Sequence, residues 1–300
     1  MAVYKKTYRP YEGSLVASWK RVLAIPRYAI EDLHGRRFLN IFYIASFAYP
    51  LIAAIVIYLE HNLAALRALN AEKVAAVVAI DPGFFMNFLG WQSMLALFLA
   101  AFIGPGLISP DLANNGLSLY LARPLSRAEY VLGKSSVLLL LMSLMTWIPG
   151  LLLFAYEGYL EGHLWMAANA RIAIGLFFGA WIWIAWLSLL ALAISAWVKW
   201  KPAAGALIFA VFFVAAGFGQ AINRVEDTRW GVLLSASDVI GSIWSWLFEG
   251  DHPTSGGAVF FRVDPVSALP VAACWLALLA VCLGCLYMLE RKIRGAEVVK

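Results

Sequence analysis

Charged side chains are scarce in this chain of 300 residues. Asp, Glu, Lys and Arg together make up 14% of the sequence, whereas a typical soluble domain carries about 25%. Hydrophobic residues make up 63% and the mean hydropathy is +0.78. This composition excludes an ordinary soluble globular protein and predicts a protein embedded in a lipid bilayer.

Cysteine and histidine, the usual ligands of transition metals, are also rare. The three cysteines, Cys274, Cys282 and Cys285, lie in one apolar stretch, where a thiol behaves as a small hydrophobic group. The last two have the spacing of a metal-ligand pair, but no second pair or nearby histidine completes a site. The four histidines are scattered among loops and tails: His34, His61, His163 and His252. The sequence therefore predicts no metal site.

Catalytic motifs are absent as well. The sequence contains neither H-E-x-x-H nor G-x-S-x-G. The run Gly133, Lys134, Ser135 resembles the end of a phosphate-binding loop, but that motif requires glycine where this chain has Ala128, and a strand before it. We therefore expect neither an enzyme nor an ATPase active site on this chain.

What the sequence does contain is long apolar stretches, each close to the ~20 residues that cross a bilayer as a helix. There are six, with only Lys134 intruding near the start of the third: Phe38–Leu59, Phe84–Ile108, Val131–Ala155, Ile172–Val198, Ala203–Ile222 and Leu269–Leu289. The fold predicted is an all-α membrane protein with six transmembrane helices. No removable signal peptide is evident before the first of them.

The distribution of basic residues predicts the orientation of these spans. Seventeen of the 23 Lys and Arg residues lie on the side that holds both termini, and six lie on the other. Because cytoplasmic loops are enriched in Lys and Arg, both termini should be cytoplasmic. We expect a multi-pass protein of the cytoplasmic (inner) membrane. Topology and anionic lipid explain the basic balance, so no nucleic-acid partner is expected.

Four segments outside or between the spans have predicted roles. A cytoplasmic N-terminal segment 1–37, with an amphipathic interfacial helix over Leu15–Leu33, and a cytoplasmic tail 291–300 flank the transmembrane domain 38–290. Within that domain lie a cytoplasmic coupling loop 109–134 and an external loop 223–268. In the external loop, Val232–Phe248 is apolar but too polar for a full span, which predicts a re-entrant or interfacial helical element.

The loop between the second and third spans has the clearest local signals. Ser109 is an expected N-cap, with a helix from Pro110 to about Leu121 that stops before a proline. Ser126 with Glu129 three residues later forms a capping box that starts the third span. These signals predict a helix-turn-helix elbow close to the membrane.

The same loop resembles a segment of a known family. Its sequence N-N-G-L-S-L-Y-L-A-R-P-L-S-R-A-E-Y-V-L-G-K is similar to the segment after the second span in permease subunits of type-2 ABC transporters, which usually reads R-P-[IL]-S-R-x-x-[YF]-x-x-G-K after an acidic residue and a short helix. The matching residues are Asp111, Gly116, Arg123, Pro124, Ser126, Arg127, Tyr130, Gly133 and Lys134. The chain departs from the pattern at Asn114 and Asn115, where the family often has an acidic residue.

The resemblance implies a function. In such permeases this loop meets the ATPase subunit, so the matching residues would couple this chain to two cytosolic ATPases, which bind ATP and Mg. A second permease copy or paralogue would complete an exporter. The resemblance does not indicate the substrate. An ion-coupled secondary transporter is the main alternative, followed by a membrane-embedded enzyme or a structural assembly protein. The span interiors, which lack ionisable residues, argue against ion coupling.

Overall fold

The protein is described by a computed structural model that covers residues 25–32, 35–62, 79–114, 126–250, 260–261 and 269–298, with side chains to residue 294. Within these ranges the secondary structure is helical, with no strand. The main helices in chain order are α1 Arg37–Glu60, α2 Pro82–Ala113, α3 Arg127–Glu161, α4 Ala170–Trp197, α5 Lys201–Val225, α6 Ala236–Glu249 and α7 Val271–Val298. All except α6 are long and apolar enough to cross a membrane.

These six helices confirm the predicted number of spans. Each predicted apolar stretch falls largely within one of them. The third is longer than predicted, because helix runs from Arg127 to Glu161 where the apolar pattern covered Val131–Ala155. The additional turns at both ends of this helix contain charged residues, so they lie outside the apolar pattern.

Four of the spans are interrupted. Their regular segments are Arg37–Ser46 and Ala48–Glu60 in α1; Pro82–Ile103 and Ser109–Ala113 in α2, joined by the 3-10 turn Gly104–Gly106; Arg127–Met145 and Trp147–Glu161 in α3; and Lys201–Phe209 and Ala215–Val225 in α5, joined by the π turn Ala210–Val214. Three interruptions coincide with Pro50, Pro105 and Pro149, because proline removes a backbone donor and clashes with the preceding turn.

The spans form an inner and an outer group. In α2 and α4 about two thirds of the most apolar window is buried within the chain, whereas in α1, α5 and α7 the buried share is near one fifth. Helix α4 packs against α2, α3, α6 and α7 and is the centre of the core. The outer spans therefore present apolar faces that the described residues do not cover.

Two glycines of α4 allow α6 to pack closely on it. The Trp244 indole donates a hydrogen bond of 2.9 Å to the Gly179 carbonyl, and a Cβ on Gly175 would lie 2.7 Å from the Phe248 ring. Both aromatic side chains are buried. The G-x-x-x-G spacing in α4 thus serves contact within the chain, since small residues let helices approach.

Only parts of the elements predicted outside the spans lie within the described residues. Residues 25–32 of the predicted N-terminal helix are helical. The rest of Leu15–Leu33 lies outside the described residues. The helical element predicted for the loop 223–268 corresponds in position to the 3-10 turn Trp230–Leu234 and α6. The predicted tail 291–300 begins as a continuation of α7, which runs to Val298.

Candidate functional site

The candidate site lies where α2 ends and α3 begins, and we call this end of the bundle the elbow end. Asp111 stands in the short helix Ser109–Ala113 that closes α2. Tyr130 and Lys134 lie four residues apart near the start of α3, on one face of that helix. The chain thus brings an acid from one span towards a cation and a phenol from the next.

We call Asp111, Tyr130 and Lys134 the elbow triad, because Tyr130 and Lys134 both contact the same carboxylate oxygen of Asp111. Lys134 Nζ lies 2.8 Å from Asp111 Oδ2, and the Tyr130 hydroxyl donates a hydrogen bond of 2.8 Å to the same atom. Tyr130 is fully buried, while the side chains of Lys134 and Asp111 are 11% and 19% exposed. Lys134 Nζ also lies 5.7 Å from the centre of the Tyr130 ring. Charge-assisted bonds of this length, shielded from solvent, tie the two spans together.

The start of α3 is fixed by the predicted capping box, which the structure confirms. Ser126 Oγ accepts a hydrogen bond from the Glu129 amide at 3.2 Å, and Glu129 Oε2 accepts one from the Ser126 amide at 2.7 Å. Together they satisfy two of the backbone donors that a helix start leaves open. One turn later, a Cβ on Gly133 would lie 2.6 Å from the Ile25 side chain, so helix 25–32 packs directly on α3 here.

Ser109 does not have its predicted role. The N-cap of the short helix is Ile108, without a side-chain cap bond, and Ser109 is the first helical residue. Its hydroxyl instead donates a hydrogen bond of 3.0 Å to the Lys199 carbonyl, two residues after the end of α4. The local pattern was misleading because a partner 90 residues away competes for the hydroxyl.

The helix start is capped from α4 instead. Ser195 Oγ accepts hydrogen bonds from the amides of Ile108 and Ser109, at 3.2 and 3.1 Å, and donates one of 3.2 Å to the Pro105 carbonyl. Ser195 is 1% exposed. A single buried hydroxyl thus satisfies three backbone groups freed by the break in α2, and it attaches the elbow to the central span.

We expect Ser195→Ala to destabilise the chain by about 2–3 kcal/mol, because it leaves buried backbone groups without their partner. The matched control is Ser188→Ala, two turns earlier on α4. Ser188 is equally buried, but its hydroxyl has no hydrogen-bond partner among the described residues, so its loss should be nearly neutral. Thermal unfolding of both variants in detergent checks this, and equal melting temperatures would contradict it.

Helix α7 completes the elbow end. The Trp197 indole at the end of α4 donates a hydrogen bond of 3.2 Å to the Met288 carbonyl, and Lys292 Nζ lies 4.9 Å from the centre of that indole ring. Arg127 and α7 line a largely apolar cavity of about 450 Å³, with Glu290 among the residues at its wall. Four spans therefore converge on the elbow end.

Not all of the predicted site residues can be placed. Six lie together around the end of α2 and the start of α3: Asp111, Ser126, Arg127, Tyr130, Gly133 and Lys134. Gly116, Arg123 and Pro124 lie outside the described residues, as does Asn115. Asn114 is the C-cap of the short helix Ser109–Ala113; the rest of the helix predicted to about Leu121 lies outside the described residues.

The opposite end of the bundle carries a second polar cluster that the sequence did not predict, formed by His61, Glu157 and Glu161. Burial alone would lower the pKa of His61. Its hydrogen bonds to the Ile57 carbonyl and to Glu161, together with the charges of Glu157 and Glu161, outweigh this and raise the pKa above its ordinary value. His61 is about 100 positions from the two glutamates in the chain, so no local spacing could have revealed the cluster.

No protein-family model matches this chain, and a search of curated proteins finds no match. The functional assignment therefore depends on the sequence of the elbow and on its geometry.

Proposed function

We propose that this chain is the membrane-spanning permease subunit of an ATP-binding-cassette exporter, whose ATP hydrolysis takes place on a separate cytosolic subunit. Three features support the proposal. Six helices are suited to span a membrane, the segment 111–134 resembles the coupling segment of type-2 permeases, and the described part of that segment forms a braced junction between two spans.

The observation that carries the proposal is the elbow triad. Because Asp111 Oδ2 contacts both Tyr130 and Lys134, the end of α2 and the start of α3 are joined by short bonds rather than by the chain alone. Ser195 extends the connection to α4. A soluble subunit that pushes on the elbow would move α2, α3 and α4 together, as a coupling device requires.

The proposed arrangement in the membrane follows the positive-inside rule. The elbow end and both termini face the cytoplasm, where two ATPase subunits bind ATP and Mg. The apolar faces of α1, α5 and α7, which the described part of the chain leaves uncovered, contact lipid and a second permease copy or paralogue. Coupling energy then comes from outside the chain, in keeping with spans whose charged residues lie near their ends.

Affinity purification in mild detergent tests the proposal. We expect an ATPase with Walker motifs to co-purify, and Arg127→Glu and Arg123→Glu to reduce ATPase activity in the preparation by at least about tenfold, as is common when a charged contact at an interface is reversed. The matched control is Arg224→Glu, the same change on an exposed residue at the far end of α5. Absence of any such ATPase, or equal activity in all variants, would overturn the proposal.

One observation favours the alternative of an ion-coupled secondary transporter. Glu157 is an ionisable residue near the end of a span and is 2% exposed, and such residues often belong to ion pathways. Coupling-ion sites usually lie near the middle of the membrane, whereas Glu157 is in the last turns of α3. Substrate flux driven by a proton or sodium gradient without ATP would support this alternative.

A further inference from the structure

The cluster at the far end of the bundle has the composition and geometry of a metal site. His61 follows α1 directly, and Glu157 and Glu161 lie one turn apart near the end of α3, so both carboxylates occupy one helix face. His61 Nε2 lies 3.1 Å from Glu161 Oε1 and 3.8 Å from Glu157 Oε1. One ligand atom from each residue lies within 4.8 Å of the others.

The ring of His61 is oriented as in a metal ligand. Its Nδ1 lies 3.0 Å from the Ile57 carbonyl oxygen. A carbonyl accepts but cannot donate, so Nδ1 carries the proton and donates. Nε2 therefore faces the two carboxylates, and loss of the proton that it shares with Glu161 makes its lone pair available to a metal. Metal-bound histidines usually donate their second ring nitrogen in this way, which fixes both tautomer and orientation.

Glu157 supplies independent support. It is 2% exposed, and its Oε2 is buried without a hydrogen-bond partner among the described residues. A buried carboxylate oxygen that lacks a partner is costly. Hydrogen bonding by His61 to Glu161 does not satisfy this oxygen, whereas a bound cation would compensate its charge.

We propose that His61 Nε2, Glu157 and Glu161 bind one divalent transition-metal ion of the Zn²⁺ class. Zinc binds imidazole nitrogen and carboxylate oxygen at about 2.0–2.2 Å, which in a tetrahedron places ligand atoms roughly 3.3–3.5 Å apart. The observed separations of 3.1 and 3.8 Å bracket that value. A nitrogen ligand disfavours Mg²⁺ and Ca²⁺, which prefer all-oxygen sites.

The proposed ion would have an open coordination position and a structural consequence. The Glu161 side chain is 46% exposed, so solvent can reach the site and fill the fourth position. The ion would join the end of α1 to the end of α3. Since α1 is only about one fifth buried within the chain, such a link would add substantially to its attachment. Metal binding should therefore raise the melting temperature of the full chain.

The test uses the full chain, purified in detergent through a tag without histidine, stripped with chelator and titrated with Zn²⁺ against a chromophoric indicator at mildly alkaline pH. We expect one ion per chain and a rise in melting temperature. Binding should weaken by at least about 10–100-fold in His61→Ala and in Glu157→Gln, since even loss of an outer-shell partner has that effect. His163→Ala, an exposed histidine at the same end, should bind like the unmodified protein.

Two further measurements keep the test independent of variant folding. A Cys282→Ala/Cys285→Ala variant should retain Zn²⁺ binding, which excludes these two thiols as ligands. X-ray absorption of the zinc-loaded unmodified protein should show nitrogen and oxygen ligands with one imidazole. Sub-stoichiometric binding, sulfur ligands, or full affinity in His61→Ala would overturn the proposal and leave an ion pair between protonated His61 and Glu161.

Discussion

Gly231→Ala is expected to lower the melting temperature of the purified chain by about 5 °C, corresponding to about 3 kcal/mol for a protein of this size. Gly231 in the 3-10 turn Trp230–Leu234 and Gly219 in α5 meet backbone to backbone. A Cβ on either residue would lie well inside van der Waals distance of the other's carbonyl oxygen. A clash with backbone cannot be relieved by a rotamer change, so the two segments must separate.

The separation has a further cost, because Asn223 Oδ1 accepts a hydrogen bond of 2.8 Å from the Gly231 amide. The matched control is Gly217→Ala, two residues before Gly219 on the same helix. Nothing lies within 4 Å of its added Cβ, so this change should be neutral or slightly stabilising. Thermal unfolding in detergent distinguishes the two variants. If both melt together, the close contact between α5 and the 3-10 turn is not part of the native structure.

The features predicted correctly are those encoded by neighbouring residues. Six apolar stretches became six helices, because length and hydropathy along a single segment decide whether it can span a membrane. The capping box of Ser126 and Glu129 formed as expected, since both bonds join residues three positions apart. The motif also contains all three residues of the elbow triad, and their role in coupling stays a prediction.

The features missed depend on contacts between distant residues. Ser195 caps a helix start 86 residues away, and Ser109 was misassigned because its partner, the Lys199 carbonyl, is 90 residues away, between α4 and α5. His61 and Glu161 are 100 residues apart and looked like unrelated loop residues. Local patterns cannot predict such meetings, because they result from how the helices pack. The contact between Asp111 and Lys134 was likewise not predicted, although both residues were.

The largest effect at the elbow end is expected for Lys134→Met. This change leaves the Asp111 carboxylate, which is 19% exposed, without its ion-pair partner. Breaking a buried pair by removing one member costs about 3–5 kcal/mol, and the partial exposure of Asp111 places our expectation near the lower value. The measurement is the melting temperature in detergent, which should fall clearly below that of Tyr130→Phe, where the hydrogen bond to Asp111, worth about 1 kcal/mol, is lost.

The double variant Asp111→Asn/Lys134→Met separates charge from packing. Asparagine can still accept the Tyr130 hydrogen bond, and no charge of the pair remains, so most of the stability should return. If the proposed function is correct, the ATPase activity of the purified complex should stay low in this variant, because the α2 and α3 ends are no longer held by a charged bond. Additive losses in the double variant would show that Asp111 and Lys134 do not interact. Restored stability with full ATPase activity would show that the pair stabilises the elbow without taking part in coupling.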